Sequence, residues 1–75
     1  MFEEIRNIVC SILSLDESEV TEESNFIDDF GADSIDIVQM VVEIEHKFEV
    51  LIDEDDIVGV KTVGDAVRLV ERKLK

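Results

Sequence analysis

Apolar residues recur along this 75-residue chain at intervals of three and four, and no proline interrupts them. Phe2, Ile5, Ile8, Val9, Ile12 and Leu13 share one face at about 100° per residue, with Glu3, Glu4, Asn7 and Ser11 opposite. A first helix is therefore expected from Phe2 to Leu13, with Cys10 a small apolar residue at the stripe's edge. Asp33 and Asp36 form a capping box that opens a second helix near Asp33 or Ser34 and carries it to about Phe48. Ser34 is the alternative cap. Asp53 to Gly59 reads as a short helix, capped by Asp53 and stopped by Gly59. Thr62 and Asp65 open a last helix that buries Val63, Ala66, Val67, Val70 and Leu74. Its basic final turn, Arg72-Lys73-Leu74-Lys75, suits the negative end of the helix dipole. From Leu15 to Gly31 no period is sustained, and a long loop is expected, pinned by Val20, Phe26, Ile27 and Phe30. Loops of this length in small domains are uncommon and often functional. The expected architecture is all-α: a small four-helix bundle, three main helices and one short one, with a long loop after helix one and residues 1–75 in a single domain.

Charge narrows what such a bundle can meet. Twenty acids against seven bases give a net charge of −13. From Asn7 to Val60 there are sixteen acids and one base, a local balance of −15. Nucleic acid needs Lys and Arg against its phosphates, so it is not an expected partner, and neither is an anionic membrane surface. A partner with a basic face would relieve the self-repulsion and would be steered in quickly. Hydrophobic residues make up 45% of the chain, which separates this acidity from that of disordered segments. One cysteine, Cys10, and one histidine, His46, can form neither an internal disulfide nor a zinc site, and a reducing, cytoplasmic setting is expected. The N-terminus shows no signal-peptide pattern, and no apolar run approaches the roughly 20 residues of a membrane span. Asp53-Glu54-Asp55-Asp56 fails the EF-hand pattern, because the sixth and twelfth positions are Val58 and Gly64. No dedicated metal site is expected, although clustered carboxylates leave loose divalent binding open.

The second helix carries a surplus apolar strip. With Ile37 as zero, Met40, Val41, Ile44 and Phe48 lie within about 60° and suffice to cover a core. Ile35, Val38 and Val42 point roughly 100–160° away, beside Glu45 and Glu49. Either the helix is buried on two sides by helices one and four, or the strip is a docking surface of apolar anchors ringed by charge. Ser34 stands at this helix's start between Asp33 and Asp36. A nucleophilic serine needs an adjacent base, and His46 is about 18 Å away along the same helix at 1.5 Å per residue. No enzyme activity is therefore expected. An exposed serine there suits modification by another enzyme: backbone N–H groups at the helix start favour an attached phosphate, and Gly31 keeps a side chain out of the approach.

The run Phe26-Ile27-Asp28-Asp29-Phe30-Gly31-Ala32-Asp33-Ser34-Ile35-Asp36 resembles the signature of acyl carrier proteins, an aromatic followed after two positions by Asp-Leu-Gly-Ala-Asp-Ser-Leu. The likeness continues through Glu43 to Val50, the short acidic helix and Thr62 to Val67, covering nearly the whole chain without insertion. It implies a four-helix bundle whose serine, here Ser34 with Gly31 and Asp33 beside it, receives 4′-phosphopantetheine from coenzyme A through a separate phosphopantetheinyl transferase and Mg²⁺. The arm's thiol then holds acyl groups as thioesters for partner enzymes of fatty-acid or polyketide-type synthesis, whose basic patches dock on the second helix. The matching docking positions are Asp33, Ile35, Asp36, Val38, Val42, Glu45 and the acids Glu54 and Asp55. A monomer is expected. Phe30, Ile35, Gln39, His46, Lys47 and Asp53 depart from the commonest family residues, which leaves a specialised pathway open. An unmodified interaction module is the alternative from another class.

Overall fold

The computed structural model describes residues 1–75. Its helices are α1 (Phe2–Leu13), α2 (Ser34–Phe48), α3 (Glu54–Val58) and α4 (Val63–Leu74), with one 3₁₀ turn at Glu17–Glu19 and no strand. None is long and apolar enough to cross a membrane. α1 packs against both α2 and α4. Ile5, Val9, Val63 and Val70 are fully enclosed where they meet, and Met40 and Ile44 close the core from α2. The expected bundle of three main helices and one short one is what forms.

Capping spacing explains the boundaries. Asp33, Asp53 and Thr62 each accept the backbone N–H three residues on, from Asp36, Asp56 and Asp65, and each of those carboxylates reaches back to the capping residue's N–H. These reciprocal bonds satisfy donors that a helix start leaves orphaned. Asp65 also accepts the Lys61 N–H, pairs with Arg68 and takes the Thr62 N–H, which together hold its carboxyl down at about 2. Its folded pKa lies below its ordinary 3.8, so the stability it contributes is present above that value and is lost as pH falls through about 2. Asp65→Asn is accordingly expected to melt below wild type at neutral pH, with the gap closing between pH 4 and pH 2. A gap of unchanged size at pH 2 would remove the charge from this account.

The long loop is held by more than its apolar residues. Val20 and Phe26 are buried and Phe30 is half-buried against Phe26, with ring centroids 6.5 Å apart and edge-on. Ile27 is exposed, contrary to expectation. The Asn25 side chain accepts the N–H groups of both Ile27 and Asp28, which turns the chain at this point and aims Phe26 inward and Ile27 out. Backbone bonds then staple the loop to the start of α4: Phe26 N–H to Lys61 O at 3.0 Å, Val63 N–H to Ser24 O at 3.0 Å and Gly64 N–H to Glu22 O at 2.8 Å. Ser24 is buried beneath this staple.

Leu74 is exposed although the helical wheel places it on the buried face of α4. A wheel carries no length, and the final turn overhangs its neighbours. Leu69, at the edge of the same stripe, is buried instead. A Cβ on Gly64 would stand 3.0 Å from the Glu22 carbonyl oxygen and 3.4 Å from the Arg68 guanidinium. Gly to Ala inside a helix ordinarily gains up to about 1 kcal/mol, whereas crowding a packed contact costs about 1–3 kcal/mol. Because the opposing atom is stapled backbone, Gly64→Ala is expected to lose about 1–2 kcal/mol net, read from urea unfolding midpoints. A stabilised variant would show that the loop yields.

Candidate functional site

The start of α2 is built from the loop forward. Asp29 accepts the Asn25 N–H at 2.6 Å, and the Gly31 N–H donates to Ile27 O at 2.9 Å, closing the turn. Gly31 takes φ of 65°, the left-handed region that a side chain disfavours, and nothing lies within 4 Å of where its Cβ would be. Ala32 is buried, and its N–H bonds to Phe26 O at 3.0 Å. Asp33, extended at φ −99°, then caps the helix: its Oδ1 accepts the Asp36 N–H at 2.9 Å, and Asp36 Oδ2 accepts the Asp33 N–H at 3.2 Å. Of the two candidate caps it is Asp33 that acts. Ser34 is the first helical residue, exposed, with its hydroxyl free of the cap.

Along α2 the surplus strip stays uncovered. Ile35 is 69% exposed, Val38 58% and Val42 41%. Helices α1 and α4 do not bury this face, although Val38 and Val42 share a shallow groove with Ile12 of α1. Asp36 is half-buried, and Glu54 and Asp55 are exposed on α3. Glu45 is half-buried too, and its Oε2 accepts the Ile52 N–H at 2.9 Å, which ties down the connection to α3. That bond spans seven residues, so no helical or turn spacing announces it.

Behind the strip, between α2, α3, α4 and the Asn25–Asp28 turn, lies a cavity of about 380 Å³. Its walls are almost all apolar and include Phe26, Ile37, Met40, Ile57, Val58 and Leu69. Ile37 sits one turn below Ser34. Sequence periodicity does not separate these residues from an ordinary core, because each wall is the inner face of an amphipathic helix. Cys10 lies outside the cavity, half-buried on α1. Burial first, then Glu17, pushes its thiol above the ordinary value, which leaves it a poor nucleophile.

This geometry offers an exposed hydroxyl, an exposed apolar strip in an acidic field, and an apolar cavity. A family described as "Phosphopantetheine attachment site" matches residues 3–70. An acyl carrier protein of Thermotoga maritima is 45% identical over 74 residues, covering 99% of this chain and 91% of the relative. One from Clostridium perfringens is 46% identical over 70 residues, or 93% of this chain and 92% of its own length. The structure of an acyl carrier protein from Enterococcus faecalis superposes with a TM-score of 0.74 at 32% identity, covering 97% of this chain and 98% of that one. The chain belongs to the acyl carrier protein family, whose members carry and do not catalyse.

Proposed function

We propose that residues 1–75 act as one carrier domain, with Ser34 the residue to which 4′-phosphopantetheine is joined from coenzyme A. The observation that carries this reading is the free hydroxyl of Ser34 on the first turn of α2, left available because Asp33 does the capping. The surroundings fit such an arm. Gly31 leaves open space beside Ser34, and Asp33 and Asp36 are held by each other in the capping box. When bound, the group supplies a terminal thiol on which acyl intermediates are held as thioesters. The chain's own part is to present and to shelter. The first-turn N–H groups of α2 favour the anionic end of the link. Ile37, Met40 and Leu69 line a cavity that excludes water from an apolar chain.

Ile35, Val38 and Val42, with Asp36 on the same helix and Glu54 and Asp55 exposed on α3, are the positions that a phosphopantetheinyl transferase and acyl-chain synthesis or transfer enzymes would meet through basic patches. The excess of acid over base from Asn7 to Val60 supports that choice of partner. An unpaired Cys10 is consistent with a cytoplasmic setting. Intact mass measured before and after incubation with coenzyme A, Mg²⁺ and a broad-specificity transferase tests the reading. One added phosphopantetheinyl group, mapped to the peptide that contains Ser34, is expected. An unchanged mass, with the transferase active on another carrier, would leave an acidic interaction module.

A further inference from the structure

The hydrogen bonds of the turn before Ser34 converge on one residue, Asn25. Four successive backbone N–H groups end on its two oxygens. The side-chain Oδ1 accepts from Ile27 at 3.0 Å and from Asp28 at 2.9 Å. The main-chain oxygen accepts from Asp29 at 3.0 Å and from Phe30 at 3.3 Å. Beyond them the Gly31 N–H reaches Ile27 O, and the Ala32 N–H reaches Phe26 O, which closes residues 26–32 into a loop whose ends meet just ahead of Ser34. Asn25 is itself fixed from outside the turn: it is half-buried between buried Ser24 and Phe26, and it pairs with Thr62 in an antiparallel bridge. The two sets of bonds differ in what they need. Any residue at position 25 supplies the main-chain oxygen, whereas the bonds to Ile27 and Asp28 need a short side chain with an acceptor. Without that acceptor the two N–H groups turn to water, because Ile27 and Asp28 are exposed, and the segment loses its single path while the core stays packed. The start of α2 keeps its own cap at Asp33 and its anchors Met40 and Ile44, none of which involves Asn25.

We propose that Asn25 is a positioning residue for modification at Ser34: its carboxamide oxygen holds the exposed Ile27–Asp29 turn in the one arrangement that an enzyme approaching Ser34 meets. The inference rests on attachment at Ser34 and adds a residue of the preceding loop to it. An enzyme that docks against a preformed turn does not have to order it, so the benefit falls on binding. The hydroxyl and its helix start are the same with or without the carboxamide, so the chemical step keeps its rate.

In the full-length chain, Asn25→Ala removes the two side-chain bonds and leaves the main-chain ones. With saturating coenzyme A and a broad-specificity phosphopantetheinyl transferase, its KM as acceptor is expected to rise about five-fold, the factor one net hydrogen bond represents, with kcat within about two-fold of wild type. Asn25→Asp keeps the acceptor and should restore KM, measured at about 0.3 M salt so that the added charge is screened. Val9→Ala, which weakens the enclosed core and leaves the turn alone, should load with the wild-type KM at a temperature where it is folded. Amide exchange at Ile27 and Asp28 should quicken in Asn25→Ala and in neither other variant. An unchanged KM for Asn25→Ala beside a loaded wild type would overturn the positioning role and leave attachment at Ser34 standing. An equal rise in Val9→Ala would also overturn it, because that is general loosening, and so would an Asn25→Asp that fails to recover. A wild-type chain that is never loaded would overturn the attachment reading and this inference with it.

Discussion

Ser34→Ala is expected to abolish loading by a phosphopantetheinyl transferase outright while leaving the melting curve in place. The two outcomes separate because the helix start does not depend on this hydroxyl: the Asp33 carboxylate accepts the Asp36 N–H, and Ser34 occupies the next position with its side chain in solvent. Alanine is a good first-turn residue, so the stability change should stay within about 0.5 kcal/mol. Asp33→Ala reverses the pattern. It removes the cap, costs about 1 kcal/mol and leaves the attachment hydroxyl in the chain. Loading of Asp33→Ala should therefore be slowed, not lost. Intact mass and thermal melting of both variants distinguish attachment at Ser34 from a structural requirement at the same turn. Residual loading of Ser34→Ala would place the attachment point elsewhere.

The second large effect concerns the strip. Ile35→Glu and Val38→Glu, made together, are expected to slow transferase loading of Ser34 by about 30-fold or more, the loss that follows when an interface anchor worth 2 kcal/mol is removed. Both side chains are mostly exposed, so the fold should hold, and glutamate is at least as good a helix former as either residue. The direction is informative. Added acid strengthens attraction to a basic partner, and an exposed charge contributes about 1 kcal/mol at most. A faster variant would mean that charge alone brings the partner in and that the strip is incidental. A slower one, with intact circular dichroism, assigns the anchoring to Ile35 and Val38. Raising the salt should then narrow what remains of the steering without restoring the lost rate.

Legibility in the sequence follows the range of the interaction. The starts of α2, α3 and α4 can be read because a capping box is complete within four residues, and the apolar stripe of α1 because its period is local. Ser34, Gly31 and the run around them are legible for the same reason. Leu74 and Ile27 mislead because their burial depends on where a neighbouring element ends and which way a turn faces, neither of which a wheel contains. Gly64 against Glu22, Glu45 under Ile52 and Lys73 on Asp56 are pairings across the chain, and nothing at either residue names its partner. The cavity belongs to this group. Its walls obey the core pattern, and only the spacing of the assembled helices leaves them apart.

The staple between the long loop and α4 has a consequence for the order of assembly. Val63 with Ser24 and Gly64 with Glu22 join residues about forty positions apart, a separation that costs loop-closure entropy before any contact repays it. The helices themselves can form in microseconds or less. The turn that delivers Gly31 and Ser34 closes on local bonds, from Gly31 N–H to Ile27 O and from Asn25 N–H to Asp29, whereas the staple forms only when the first residues of α4 arrive. A nascent chain that has reached Ile57 already holds every residue of the α2 start and none of the partners, Lys61, Val63 and Gly64, to which the loop before it is stapled. The loop that leads into Ser34 is thus anchored by residues synthesised well after it, and on the proposed attachment at Ser34 a modifying enzyme would meet that loop fully anchored only once the far helix has folded.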